Sequence, residues 1–260
     1  MLGLGTWENE DAEQCATSVA TALEAGYRHV DTAQIYENEA AVGDGIARAD
    51  VPREDVFLAT KVWIDSLAPE DVARTTRESL DRLGVDSVDL LYVHWPARTY
   101  EPEATLSAFA DLREEGLIDR IGVSNFEPTQ LETALEVLDG EVFANQVELH
   151  PLLPQPELRA ACHDAGVEPV AYSPLARGTV FEVDVLSEIA ADHGVSEAQV
   201  SLAWLRHHGV TTIPKATSAA HVHDNFESLE LTLTDEEVAR IDEIERRSRR
   251  VDPDFGPWNR

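Results

Sequence analysis

Short apolar runs alternate with longer amphipathic stretches from one end of the chain to the other. The short runs are Leu2–Thr6, His29–Thr32, Val56–Lys61, Val88–His94, Ile121–Asn125, Ala144–Glu148, Pro169–Ser173 and Thr211–Pro214. Most are apolar at successive positions, which predicts strands buried on both faces. Between them, apolar residues recur at helical spacing over Ala12–Ala25, Asn38–Arg48, Pro69–Leu83, Ala104–Glu115, Pro128–Leu138, Pro156–Ala165, Glu197–His207 and Ala219–Glu227. Val183–Asp192 and Asp235–Arg246 read as extra helices. Pro69 suits a first helical turn and Thr234 an N-cap, while Gly26, Gly84, Gly116, Gly166, Gly194 and Gly209 suit helix ends. No linker or change in composition divides the chain. Strands roughly 30 residues apart and alternating with helices predict a parallel sheet closed into a single (β/α)8 TIM barrel. That domain spans residues 1–260, with extra helices near the C-terminus. An open dinucleotide-binding sheet fits less well. Gly3 and Gly5 lack the third glycine and the following helix of a G-x-G-x-x-G turn.

Composition narrows the class. No apolar stretch approaches the roughly 18–20 residues of a membrane span. The opening MLGLGTWENED lacks the basic and apolar segments of a signal peptide, so a cytoplasmic location is expected. Cys15 and Cys162 are isolated, lack metal-ligand spacing and read as inert thiols; no metal is expected. Fifty acidic residues oppose twenty basic ones, for a net charge of −30 spread over the helix faces. No basic stripe is present to release counterions, which argues against nucleic acid and anionic membranes as partners. Dispersed acidity with so little lysine predicts a halophilic protein whose surface self-repels in dilute buffer.

Only two of the basic residues are lysines, Lys61 and Lys215, and both close apolar runs. A chain that uses arginine elsewhere retains lysine where it needs a compact charge of tunable pKa. In a barrel, chemistry gathers at the carboxyl ends of the strands. Those ends carry Asp31, Lys61, His94, Ser124–Asn125, Gln146–Glu148, Tyr172–Ser173 and Lys215, whereas the preceding strand positions are apolar.

Seven segments carry a family likeness: HVDTAQIYENEAAVG, LATKVW, DLLYVHWP, IGVSNF, NQVELHP, AYSPLARG and TTIPKA. In this order and spacing, from the GLGTW start to the DPDF tail, the chain resembles the aldo-keto reductases. It is most similar to the compact microbial, diketogluconate-reductase type. The resemblance implies reduction of small aldehydes or ketones to alcohols by hydride transfer from a nicotinamide cofactor. It assigns a catalytic tetrad to Asp31, Tyr36, Lys61 and His94. Tyr36 would be the general acid, Lys61 would stabilise its phenolate, Asp31 would hold Lys61, and neutral His94 would donate to the carbonyl oxygen. A unit charge about 4 Å away at an effective dielectric of ~20 is worth roughly 4 kcal/mol, so Lys61 is expected to lower the Tyr36 pKa by about three units.

The resemblance also places the cofactor. Tyr172 would stack on the nicotinamide, and Ser124, Asn125 and Gln146 would bind its carboxamide. Ser173 and Leu175 would hold the pyrophosphate, and Thr6 and Asp31 would lie near the nicotinamide ribose. At the adenosine end the chain departs from the pattern of the NADPH-preferring members. Ala216 and His221 stand where a Ser and an Arg are usual, leaving Lys215 as the cation for a 2′-phosphate. Thr217 or Ser218 would add a hydroxyl, and Asp224 and Asn225 would meet adenine. NADPH is the expected cofactor, with NADH or dual use as the alternative. Trp7, Trp63 and Trp95 would line the substrate pocket together with Tyr36 and His94, and His150 its far rim. Short barrel-top loops would leave that pocket open. A monomer is expected. Two other readings fit the same barrel: a non-catalytic nicotinamide-binding redox sensor, and a lyase forming a Schiff base on Lys61 or Lys215.

Overall fold

A computed structural model describes residues 1–259. Eight parallel strands follow one another around the sheet. They are β1 (Leu4–Gly5), β2 (His29–Asp31), β3 (Phe57–Val62), β4 (Val88–Val93), β5 (Ile118–Ser124), β6 (Ala144–Glu148), β7 (Glu168–Tyr172) and β8 (Thr211–Thr212). Parallel bridges from Leu2 to Thr212 and from Gly5 to Lys215 join the last strand to the first and close the barrel. The Gly3 amide donates to the Thr212 carbonyl at 2.7 Å, and the Gly5 amide to that of Pro214 at 3.1 Å.

The strand pattern explains both layers of the core. In β3, Ala59 faces inward and joins Leu90, Tyr92, Ala144, Val170 and Ile213 in the barrel interior. Leu58 and Val62 face outward into the larger core beneath the helices. Alternation therefore turns Lys61 inward, two positions beyond Ala59.

The helices are α1 (Ala12–Ala25), α2 (Glu39–Arg48), α3 (Pro69–Leu83), α4 (Pro102–Glu114), α5 (Pro128–Val137), α6 (Pro156–Asp164), α7 (Asp184–His193), α8 (Glu197–His207), α9 (Ala219–Glu227) and α10 (Asp235–Asp242). Proline opens α3, α4, α5 and α6, where an unpaired N–H is not missed. α2, which follows the loop carrying Tyr36, is wedged between its neighbours. A Cβ on Gly43 would lie 2.2 Å from the Leu83 carbonyl oxygen, and one on Gly45 would lie 2.7 Å from that of Ala16.

Most pattern-based boundaries shift by one or two residues in the structure, and four differences bear on the fold. β1 and β8 are only two residues long. β5 begins at Ile118, because polar Asp119 and Arg120 extend the strand at the barrel's lower end. Short 3-10 turns within Ala176–Glu182, broken by a kink at Arg177 and Gly178, precede α7 and have no periodic signature. α10 ends at Asp242, short of Arg246. Beyond it the backbone bonds to other partners, the Ser248 amide donating to the Leu152 carbonyl at 2.9 Å. Among the described residues, no helix is long and apolar enough to cross a membrane.

Candidate active site

Parallel register sets the centre of the site. Asp31 of β2 pairs with Ala59 of β3, and Lys61 of β3 pairs with Tyr92 of β4. Asp31, Lys61 and His94 thus emerge from successive strand ends. The Lys61 side chain is fully buried and uses all three of its donors. Nζ bonds Asp31 Oδ1, the Thr32 carbonyl oxygen at 2.7 Å and the Tyr36 hydroxyl at 3.5 Å. Asp31 Oδ2 accepts from Gln146 Nε2 at 2.7 Å. The buried ion pair is therefore satisfied from both ends, as burial of charge requires.

Tyr36 stands on a single 3-10 turn, Gln34–Tyr36, which ends in a left-handed Glu37. Its ring meets that of His94 edge-on, with centroids 5.8 Å apart, and Trp63 covers His94 from another side at 5.1 Å. The turn is held by side chains to which sequence reasoning gave no role. Asn38 donates to the carbonyls of Thr6 (2.8 Å) and Asn9 (3.3 Å) and accepts from the Thr32 hydroxyl at 2.9 Å. Gln34 accepts from the Trp63 amide at 3.1 Å. Glu39 is buried and accepts from Thr60 at 2.6 Å and from Arg82 at 2.6 and 2.9 Å. The sequence offers little signal for them, since Asn38 and Glu39 fall at the start of an expected helix and Gln34 stands alone before Ile35.

Burial dominates the electrostatics. It lowers the Lys61 pKa from its usual range, against the opposing pull of Asp31. It holds His94 well below an ordinary histidine, reinforced by the Lys61 charge, so the imidazole is neutral at pH 7. It pushes the Tyr36 phenol well above its usual value, and Asp31 adds to that push. The expected lowering of Tyr36 by Lys61 is thus overturned. Desolvating a phenolate costs more than one ammonium at 3.5 Å returns, because Asp31 cancels much of that charge. Tyr36 stays protonated, the state a general acid needs.

The other expected groups lie beside this centre. Ser124 and Gln146 are paired in register, and the Ser124 hydroxyl donates to the Gln146 carbonyl oxygen at 2.7 Å. Asn125 Nδ2 donates to the His94 carbonyl at 3.0 Å, and its Oδ1 accepts from the Tyr172 hydroxyl at 2.8 Å. Tyr172 is half-buried, and its phenol is raised by burial and then by Glu148. Thr6 is buried and donates to the Asp31 carbonyl at 3.0 Å. Ser173 (φ 47°), Ala176 (φ 49°) and Arg177 (φ 51°) are all left-handed, so the loop around Leu175 is tightly coiled. Arg177 lies 4.2 Å over the ring of Trp7, joining that loop to the one after β1.

At the end of the site expected to meet adenosine, Lys215 and His221 are exposed, and Thr217 is half-exposed. Ser218 caps α9 by accepting from the His221 amide at 3.3 Å. Asn225 is buried. The Asp224 carboxylate is taken by Ser196 at 2.7 Å and Gln199 at 2.8 Å, which ties α9 to α8. Away from the site, Cys15 and Cys162 are buried thiols pushed up to about 11 by desolvation.

The tail folds back over Trp63 and Trp95, two of the residues expected to line the substrate pocket. Val251, Phe255 and Trp258 pack against Ile64, Trp95 and Ala97 together with Trp63. Phe255 meets Trp95 at 5.4 Å and Trp63 at 6.2 Å, and Trp258 meets Trp95 at 5.6 Å. Trp95 is consequently buried beneath the tail, while Trp63 stays half-exposed. A surface hollow of about 250 Å³ between Pro96, Tyr100 and Gln130 touches none of the tetrad.

The Aldo/keto reductase family matches residues 1–246. The chain is 38% identical to methylglyoxal reductase DkgB of Escherichia coli O157:H7, over 97% of this chain and 96% of that protein. A putative 2,5-diketo-D-gluconic acid reductase B superposes with a TM-score of 0.94 at 38% identity, covering 98% of this chain and 91% of that one. The Bombyx mori aldo-keto reductase in complex with NADP superposes with a TM-score of 0.91 at 33% identity, covering 97% of this chain and 91% of that one.

Proposed function

The chain belongs to the aldo/keto reductase family, and on that premise we propose that it reduces small aldehydes or ketones to alcohols with NADPH, Tyr36 supplying the proton. The observation that carries this reading is the Tyr36 hydroxyl, held 3.5 Å from a buried Lys61 that is itself bound to Asp31. When bound, the nicotinamide supplies a hydride to the carbonyl carbon. The residues fit such a group: Ser124, Asn125, Gln146 and the half-buried Tyr172 form a polar strip with one aromatic platform beside the tetrad.

The chain's own residues handle the oxygen. Neutral His94 orients the carbonyl by donating a hydrogen bond. Tyr36 keeps its proton until negative charge develops on that oxygen, then gives it up. Lys61 faces the phenolate so formed, and Asp31 keeps the ammonium in place. A Schiff-base role for Lys61 fits poorly, since its nitrogen is buried and every donor is used.

Small α-oxo aldehydes are the first substrates to assay, as methylglyoxal is for the E. coli relative. At the adenosine end, exposed Lys215 supports the phosphorylated cofactor, helped by the start of α9. The test is a panel of aldehydes and ketones with NADPH and with NADH, in dilute buffer and in molar KCl. The expected result is carbonyl-dependent oxidation of NADPH. Tight cofactor binding with no turnover on any carbonyl would leave a binding protein instead.

A further inference from the structure

Glu148, at the carboxyl end of β6, has no part in the chemistry described above. Its side chain is fully buried and turned toward the C-terminal tail. Oε1 accepts from the Arg250 amide at 2.6 Å, and Oε2 accepts from the Val251 amide at 2.8 Å. Oε1 also meets His150 Nε2 at 2.9 Å, which makes that nitrogen the protonated one. The strand's own end is secured as well, since Gln155 Nε2 donates to the Glu148 carbonyl at 2.7 Å. One carboxylate thus binds two consecutive backbone amides of a segment about a hundred residues away.

Val251 and the residues just beyond it cover tryptophans assigned to the proposed substrate pocket. Val251, Phe255 and Trp258 pack on Trp63 and Trp95. Between Asp242 and Pro257 the tail has no regular secondary structure to fix its path. Trp258 is steadied within the tail, donating to Asp252 at 2.7 Å and lying 3.7 Å beneath Arg249. Charge-assisted bonds from paired amides are among the stronger polar contacts, and burial strengthens them. A glutamine here has the right shape, but its amide nitrogen would face one of three donors.

We propose that Glu148, supported by His150, is a positioning residue for the substrate pocket. It seats Arg250–Val251 and so holds Phe255 and Trp258 against Trp63 and Trp95. This rests on the carbonyl-reductase reading for its effect on substrate, but the seating of the tail does not. Loss of Glu148 therefore weakens carbonyl binding while leaving cofactor binding and proton transfer in place.

Two measurements on Glu148→Gln decide it. Hydrogen exchange of the intact protein reads the latch itself. Amides from Arg249 to Asn259 are expected to exchange roughly tenfold faster in the variant, with β3 and β4 unchanged. Steady-state kinetics reads the consequence: KM for the carbonyl rises roughly tenfold, while kcat and the NADPH Kd change little. Phe255→Ala, which removes the tail's contact without touching the buried carboxylate, is expected to raise KM alike. The double variant is expected to show much less than the product of the two effects, since both act through one contact. Unchanged exchange in the tail overturns the latch, as does a fall in kcat and cofactor affinity with KM unaltered. Multiplicative effects in the double variant overturn the link from Glu148 to the pocket. A wild-type protein that reduces no carbonyl removes the reductase reading, and the exchange measurement then still decides whether Glu148 seats the tail.

Discussion

The two ends of the barrel each bury a histidine whose neutral form burial favours, and they use it differently. At the carboxyl end, His94 lies against Tyr36 and Trp63, one strand from Lys61. At the amino end, His29 packs edge-on against Phe57 with centroids 5.0 Å apart, and neither ring nitrogen has a hydrogen-bond partner among the described residues. Gly3 leaves room for that ring, since a Cβ there would come within 2.7 Å of it. Arg120 lies over Phe57 and Phe143 and covers that end. Desolvation is the leading cause of both shifts. A displaced pKa therefore does not mark the site. What marks it is the company: an acid, a buried ammonium and a phenol within bonding reach of one another.

Breaking the ion pair gives the largest expected effect. Lys61→Met leaves Asp31 buried without its cation, which costs about 3–5 kcal/mol of stability and removes the charge facing Tyr36. Lys61→Arg is expected to be nearly as inactive, because a planar guanidinium cannot reach Asp31, Thr32 and Tyr36 from the same point. Thermal melts and kcat on both variants check this. Wild-type turnover in the arginine variant would reduce Lys61 to a generic positive charge.

The opposite end predicts a smaller, pH-dependent effect. Burial lowers the His29 pKa from 6.5 to about 4. As pH falls below 6.5, the unfolded chain takes up a proton that the folded chain refuses until about pH 4. Stability contributed by neutral His29 is therefore full above that window and lost through it, by up to about 3 kcal/mol. His29→Phe keeps the ring and removes the titration. Its denaturation midpoint is expected to fall less steeply with acid across the window, with activity at neutral pH little changed. An acid limb identical to wild type would mean that other groups set it.

The smallest effect belongs to the exposed lysine. Lys215→Met is expected to weaken NADPH binding about tenfold and NADH binding hardly at all, and the difference is expected to shrink in molar salt because the site is open to solvent. Equal losses for the two cofactors, measured by fluorescence titration, would show that Lys215 does not read the phosphate.

Much of this was legible in the chain because barrel strands are short, doubly apolar and followed by polar ends. Asp31, Lys61 and His94 lie where strand periodicity alone puts chemistry. The pKa of Tyr36 was not legible, because its sign depends on how burial, Lys61 and Asp31 balance in three dimensions. Asn38 and Glu39 read as an ordinary helix start, and only packing shows them turned inward to Thr32 and Thr60. The tail was missed for a different reason. Its path follows from the Glu148 carboxylate a hundred residues earlier, and no local pattern carries that contact.

Tyr36→Phe tests the central claim most directly, because it removes one oxygen and keeps the ring packed against His94. With kcat for methylglyoxal and the NADPH Kd measured side by side, turnover is predicted to fall about 10²- to 10⁴-fold and the Kd to stay within about twofold. Retention of more than about a tenth of wild-type turnover would contradict Tyr36 as the proton donor.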